Sequence, residues 1–503
     1  MVEENDFLVA KKVKLDKIQT EVECIIQTGA NVKSVLATKV EGAVEGYETL
    51  NGVLNFSGLV DVKLVFVDEE EQIGCVASSC PFSAKFENDL ISTGQSAVIE
   101  LKVIDSNIAS VNGDVVKVNV MLEGCAYLLF NEKLKSIRCD DEDICAKEEE
   151  MNLIEYLSSA CEKIDVTNDI GVREKVKKLL ICDAKALIRN VESGVNFVSV
   201  SGDVIYRVLY IDENDKFQTA TANDTFKEEI ELEGVNRDSL VEANVYVDPQ
   251  KVECEIVEEE KGGKIVVKAV ISLCARACNQ TSVSVIKDLY STKSEINVTT
   301  ESFSMSEICP MKVVEGKIEG NLTLDEDRPR VDKILFNTAD SVTVTNSYIK
   351  DGEIFLEGIA RTTVVYLNDE DGALHSAQIE VPFTISDKTD FEDGGIISVE
   401  AIVTDSDVAV KKGRDLFYDA KVKATVSYCK ATSAGIITEA VLGEEMPERD
   451  YAMEVIFGRS GQQSWDIAKE SKVKEEQLIA QNPEAVFPLQ EDESLILFYQ
   501  KIQ

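Results

Sequence analysis

The chain has 503 residues, 44% apolar and 29% charged, and its 93 acids against 52 bases give a formal charge of −41. That length exceeds one hydrophobic core and points to about three to five domains. The charge repels phosphate backbones and anionic headgroups, so nucleic acid is excluded as an expected partner.

The opening MVEENDFLVAKKVKLD lacks the basic and apolar regions of a signal peptide, and the sequence holds no apolar run long enough to cross a bilayer. A cytosolic location without a transmembrane segment is therefore expected. Thirteen cysteines (Cys24, Cys75, Cys80, Cys125, Cys139, Cys145, Cys161, Cys182, Cys254, Cys274, Cys278, Cys309, Cys429) form no CxxC pair. Several alternate with apolar neighbours, as in VISLCARAC, and all thirteen are expected to be reduced. His375 is the only histidine, so neither a zinc site nor any cofactor is expected.

Residues 60–72, VDVKLVFVDEEEQ, read as a strand running into an acidic turn, and the pattern returns as VIYRVLYIDENDK at 204–216 and ARTTVVYLNDEDG at 360–372. The glycines before these strands, Gly58, Gly202 and Gly358, are each followed by an aromatic, Phe66, Tyr210 or Tyr366, and later by Phe82, Phe226 or Phe383. KSVL, KKLL and DKIL precede them at Lys33, Lys177 and Asp332. One register kept over so much of the chain predicts three copies of one β module. Strand alternation puts Val60, Val62, Leu64 and Phe66 on one core face, as it does Val204, Tyr206, Val208 and Tyr210, and Ala360, Thr362, Val364 and Tyr366. The acids at Asp68 to Glu71, Asp212 to Asp215 and Asn368 to Asp371 follow where the chain must reverse. Calcium-loop spacing is met only in part by NDEDG, so solvated hairpin turns are expected.

Between the first two copies, seven acids from Asp140 to Glu150 lead into a stretch where Met151, Ile154, Leu157 and Cys161 recur at helical spacing. An acidic connector and a packed helix are predicted over 139–166. The downstream half of each copy repeats as well: VIDSNIASVNG at 103–113 matches VTDSDVAVKKG at 403–413, and VYVDPQKVECEIVEEEKGG is its longer counterpart. Asn112-Gly113 and Gly262-Gly263 are hairpin signals. Each copy is predicted to be a β-rich sandwich or barrel of about seven or eight strands, spanning 1–138, 167–293 and 294–440.

Beyond VLGEEMPERD the pattern changes. Glu454 to Gly458 reads as a strand, Ser464 to Ser471 and Lys474 to Ala480 as short helices, and Ser494 to Gln500 as a closing strand. With GQQSWDIAK, LIAQNP and SLIL in order, residues 450–503 resemble a lysin motif (LysM) domain, whose core pattern Trp465, Ile467, Ala468, Leu478 and Leu495 fit. Glycan-binding members read close to GDTLW in the first loop; here it is Gly461, Gln462, Gln463, Ser464 and Trp465, so the Asp, Thr and Leu are replaced.

Three β modules with a DKIL, EIFLEG, VVYLNDEDG, IEVPF pattern ahead of one such domain are similar to the SPOCS (spore coat) domain proteins of endospore-forming clostridia. The resemblance implies a mainly β protein of three SPOCS domains and a βααβ LysM domain, acting as a non-enzymatic adaptor in spore coat assembly. It implies a mother-cell cytoplasmic location at the forespore coat surface. It also implies a LysM domain that binds the stage IV sporulation protein A ATPase, with other coat proteins as further partners. Gly461, Gln462, Gln463, Ser464, Trp465, Asn482 and Pro483 are then the partner-binding residues. Binding of peptidoglycan by the LysM domain is the alternative. No GxSxG, P-loop or HExxH motif occurs, so no catalytic residue is expected and His375 reads as an exposed strand residue.

Overall fold

Valine, isoleucine and tyrosine at alternate positions favour pleated, half-buried backbone, and strands dominate the computed structural model of the chain. It describes residues 2–258, 262–338, 341–370, 372–447 and 449–499. Asp371 of the third acidic turn, Gln500 of the expected closing strand and residues 259–261 of the longer hairpin arm lie outside the described residues.

The first unit contains β1 (Val2–Glu4), β2 (Phe7–Lys14), β3 (Ile18–Gln27), β4 (Val32–Leu50), β5 (Val53–Asp68), β6 (Ile73–Glu87), β7 (Ser96–Asn112), β8 (Val115–Leu134) and β9 (Ile137–Cys139). β4, β5 and β6 make an antiparallel meander, and β8 takes β2 and β3 along one edge and β7 along the other. Val60, Val62, Leu64 and Phe66 of β5 share one core with Val116, Val118, Val120 and Leu122 of β8, as in two sheets packed face to face.

The second unit contains β10 (Ile144–Val172), β11 (Val176–Ser193), β12 (Phe197–Asp212), β13 (Phe217–Glu231), β14 (Leu240–Val247), β15 (Glu253–Glu258) and β16 (Gly263–Ser291). β11, β12 and β13 form the meander, while β16 carries β10 on one edge and β14 and β15 on the other. The third unit contains β17 (Ser294–Ile308), β18 (Lys312–Thr323), β19 (Val331–Asn337), β20 (Ser341–Lys350), β21 (Glu353–Asn368), β22 (Leu374–Lys388), β23 (Ile396–Lys412) and β24 (Asp415–Glu445). Here β21 lies between β22 and the pair β19 and β20, and β24 between β23 and the pair β17 and β18.

Gly58, Gly202 and Gly358 pair with Phe82, Phe226 and Phe383 on the next strand, each beside a bulge in the strand before. A Cβ at any of them would collide with the carbonyl oxygen of Ala43, Leu187 or Thr343 and lie 2.6 to 2.9 Å from the phenylalanine ring. Only glycine lets carbonyl and ring approach the strand this closely. In the acidic turns, Asp68 accepts from the Gln72 amide at 2.7 Å, Asp212 from the Asn214 and Lys216 amides, and Asn368 from the Glu370 and Gly372 amides. The first side chain of each turn thus caps the reversal itself.

Three expectations are corrected. The stretch expected to be a connector and helix over 139–166 is largely β10, which pairs with β16 from Ile144–Ser291 to Val172–Gly263. Met151 and Ile154 pack in one cluster and Leu157 and Ala160 in another, with a bulge in the strand between Tyr156 and Ser158. A strand that passes from one packed cluster to the next carries apolar residues on both faces, and their spacing here imitates a helix. The thiols are also not all free. Cys161 and Cys274, opposite each other on β10 and β16 with Cα atoms 4.0 Å apart, are joined as a disulfide. Cys182 on β11 is joined to Cys254 on β15. Partners 113 and 72 residues away escape any scan for local cysteine motifs. The other nine cysteines are free.

The outer face of each meander is apolar at one end, and these ends meet. Leu36, Val65, Leu180, Leu209, Phe336 and Val365 share one cluster drawn from all three units. A second shared cluster brings together Val9, Ile154, Cys278, Phe303 and Ile436. Beside the first, buried Lys39 pairs with Asp183 of the next unit, and Arg207 donates to the Asn337 carbonyl at 3.3 Å. Burial works to raise the Asp183 carboxyl, but the Lys39 charge prevails and holds it at about 2. His375, expected to be exposed, is half-buried and stacked on Tyr366.

Candidate functional site in the C-terminal module

After Glu445 come β25 (Met453–Gly458), α1 (Ser464–Ser471), α2 (Glu475–Gln481) and β26 (Glu493–Phe498). β25 and β26 pair antiparallel from Met453–Phe498 to Gly458–Glu493. Ile467, Ala468, Val473, Leu478, Leu489, Leu495 and Leu497 fill the core between the helices and one face of this sheet.

The loop predicted to bind a partner is tied to its own module. Gly461, at φ +87°, donates its amide to the Leu489 carbonyl at 2.7 Å, and the Leu489 amide donates to the Gln462 carbonyl at 3.0 Å. The Gln462 side-chain oxygen accepts from the Arg459 amide at 2.8 Å. Gln463 is exposed, whereas Ser464 is buried and donates to Glu475 at 2.5 Å. Asn482 donates to the Ile496 carbonyl and accepts from its amide, and Gln481 does the same for Phe498, so α2 satisfies the open edge of β26. Pro483 is exposed.

Trp465 faces the second unit. Its indole N–H donates to Asp288 Oδ2 at 2.8 Å, and Lys469 Nζ reaches Asp288 Oδ1 at 2.6 Å. Its ring meets Tyr290 edge-on at 5.0 Å between centroids, and the Tyr290 hydroxyl donates to the Val473 carbonyl at 2.7 Å. Burial pushes the Asp288 carboxyl upward, yet the bonds from Lys469 and Trp465 outweigh it and hold the group below the usual carboxylate range. Asp288 and Tyr290 lie near the end of β16, far from this module in sequence. Their seven-residue neighbourhood VIKDLYS carries no signal that would have marked them.

One concavity, of about 110 Å³, lies at the meeting of the three units and is lined by Lys39, Glu41, Asp105, Lys185, Arg361 and Gln378 among others. Lys39 is held by Asp183 and Glu41, and Arg361 by Glu380 and the Ile104 carbonyl, so these charges already serve the junction. Among the described residues no cluster of three or more His, Cys, Asp or Glu side chains could hold a metal ion. No helix among them is long and apolar enough to cross a membrane.

Residues 175–257, which run from the start of β11 to β15, match the family model described as SipL, SPOCS domain. The match relates the chain to SipL-like sporulation proteins. No curated protein and no solved structure matches it.

Proposed function

We propose that this chain is a non-enzymatic adaptor of spore coat assembly, made of three SPOCS-type modules and a LysM-type module. The C-terminal module docks a coat ATPase of the stage IV sporulation protein A kind, in the mother-cell cytoplasm. The SPOCS match at 175–257 supports the sporulation setting. The matched segment has counterparts on either side of it. β4, β5 and β6, then β11, β12 and β13, then β19 to β22, follow one strand order with glycine opposite phenylalanine at the same place. Shared clusters weld the three units into a platform.

The observation that carries the choice of a protein over a sugar is the state of the first loop. Gly461 and Gln462 are bonded to Leu489, Ser464 to Glu475 and Trp465 to Asp288. A sugar groove needs several polar atoms left open to accept and donate, and of this loop's side chains only Gln463 stays exposed.

The test is affinity capture from sporulating cells with the full chain and with residues 450–503 removed, alongside sedimentation with purified peptidoglycan. Loss of a coat ATPase on removal, with no sedimentation of the full chain, is the expected result. Retained capture together with strong peptidoglycan binding reverses the reading in favour of a glycan-binding protein.

A further inference from the structure

A two-stranded sheet covered by helices on one face needs apolar side chains only at alternate positions. β25 and β26 do not keep to that pattern. Leu495 and Leu497 point into the helical core, but Met453, Val455 and Phe457 on β25, and Ile496 and Phe498 on β26, occupy the opposite face. Met453 sits across from Phe498 and Val455 across from Ile496, so the side chains form one continuous stripe. Phe457 is 79% exposed, and Met453, Val455 and Phe498 are 52, 46 and 54% exposed. β25 has no second strand neighbour among the described residues. An apolar stripe of this extent on so small a module marks an interaction surface.

The charges around it select the occupant. Arg449 to Tyr499 holds ten acids and five bases. Glu491, Asp492 and Glu493 are exposed at the end of the stripe where Phe457 lies, since Gly458 pairs with Glu493. A second copy would bring two chains of charge −41 together with like rims facing, and an anionic bilayer would be repelled in the same way. We infer that the outer face of β25 and β26 docks a segment of a partner protein that presents an apolar stripe beside lysine or arginine side chains. The inference rests on the adaptor reading, and it assigns contact to the outer face of the sheet in place of the Gly461 to Trp465 loop. Phe457 and Phe498 are the anchors and the acids the rim, the division of labour usual in protein interfaces.

The test uses the full chain and a triple variant, Val455→Thr, Phe457→Ser and Phe498→Ser, which alters exposed side chains and leaves the charge unchanged. The first probe is a synthetic amphipathic peptide with a leucine stripe bordered by lysines, paired with a version bordered by glutamates. The wild-type chain is expected to bind the lysine peptide at least tenfold tighter than either the variant does or the glutamate peptide is bound, with the variant's thermal midpoint unchanged. Equal binding by wild type and variant, or none, overturns the inference. So does concentration-dependent dimerisation of the wild type that the variant lacks, or its sedimentation with vesicles of phosphatidylcholine and phosphatidylglycerol. The second probe is capture of the coat ATPase. If removing 450–503 abolishes capture while the triple variant retains it, the adaptor reading stands and this surface falls. If removal leaves capture intact, the adaptor reading falls and the peptide measurement alone decides the surface.

Discussion

The Trp465 indole N–H donates to the Asp288 carboxylate at 2.8 Å, and this bond joins the C-terminal module to the long strand β16. Lys469 and the edge-on Tyr290 ring complete the contact. Trp465 is the only tryptophan in the chain, so its fluorescence reports the joint directly. Asp288→Asn is expected to weaken docking by about 1–3 kcal/mol, the usual cost of removing a charged hydrogen-bond partner. The emission should move to the red, and hydrogen exchange should rise over 449–499 while the three sheet units stay protected. An unchanged spectrum and exchange pattern would show that the module is held without the Asp288 bonds, by its packing on Tyr290 and the Tyr290 hydroxyl bond to Val473.

Gly202 sets a second expectation. A Cβ there would meet the Leu187 carbonyl and come within 2.6 Å of the Phe226 ring. Both are held by the pairing of β12 with its neighbours. Gly202→Ala is expected to cost about 1–3 kcal/mol in urea unfolding, in the range of overpacking. Gly46→Ala, with nothing within 4 Å of its Cβ, should change stability by less than about 0.5 kcal/mol.

The disulfides give a counting experiment. Alkylation in denaturant without reductant is expected to label nine cysteines by mass spectrometry, and all thirteen after reduction. Peptide mapping should pair Cys161 with Cys274 and Cys182 with Cys254.

Glu400 makes stability depend on pH. It lies where the units meet, with Asn244 donating to it at 3.2 Å. Burial, joined by the negative charge of Glu100, pushes it up to about 7, although the Asn244 bond and the charges of Arg276 and Lys102 work against this. The folded protein therefore holds this proton above the ordinary pKa of 4.5. Glu400 contributes stability that is complete below pH 4.5 and lost as pH rises through 7, worth at most about 3 kcal/mol. Thermal midpoints should accordingly fall from pH 5 to pH 8. Glu400→Gln should flatten that slope, and an unchanged slope would assign it to other groups. Buried Glu242 acts oppositely: burial raises it, but Lys12 and Arg276 prevail and hold it low. Its contribution is lost only as pH falls below the ordinary carboxylate range, outside this window.

Much of the strand content was written locally. Val204, Tyr206, Val208 and Tyr210 stand at alternate positions, and the two-residue strand period puts them together on the inner face of β12, where all four are buried. Asp68, Asp212 and Asn368 stand where a short polar side chain can bond the backbone two to four residues on, so the turns were legible as turns. Ser464 to Ser471 read as a helix from its own spacing. These features depend on contacts within a few residues, which is the range over which sequence pattern carries information.

What only tertiary structure decided depends on residues far apart in the chain. Met151 to Cys161 has helical spacing, yet the ladder with β16 pulls it into a strand, because pairing along 29 residues outweighs a weak local preference. Leu209 and Phe336 look like ordinary strand residues until three units bring them into one cluster. The thirteen cysteines read alike in sequence, and only the fold distinguishes Cys161, which is joined to Cys274, from Cys24, which stays a free thiol in a core beside Cys80. Trp465 stands out in the sequence as the one tryptophan, but its bonding partner does not. Asp288 is 177 residues away, and the choice between a free surface and an internal joint belongs to the packing of the module on β16.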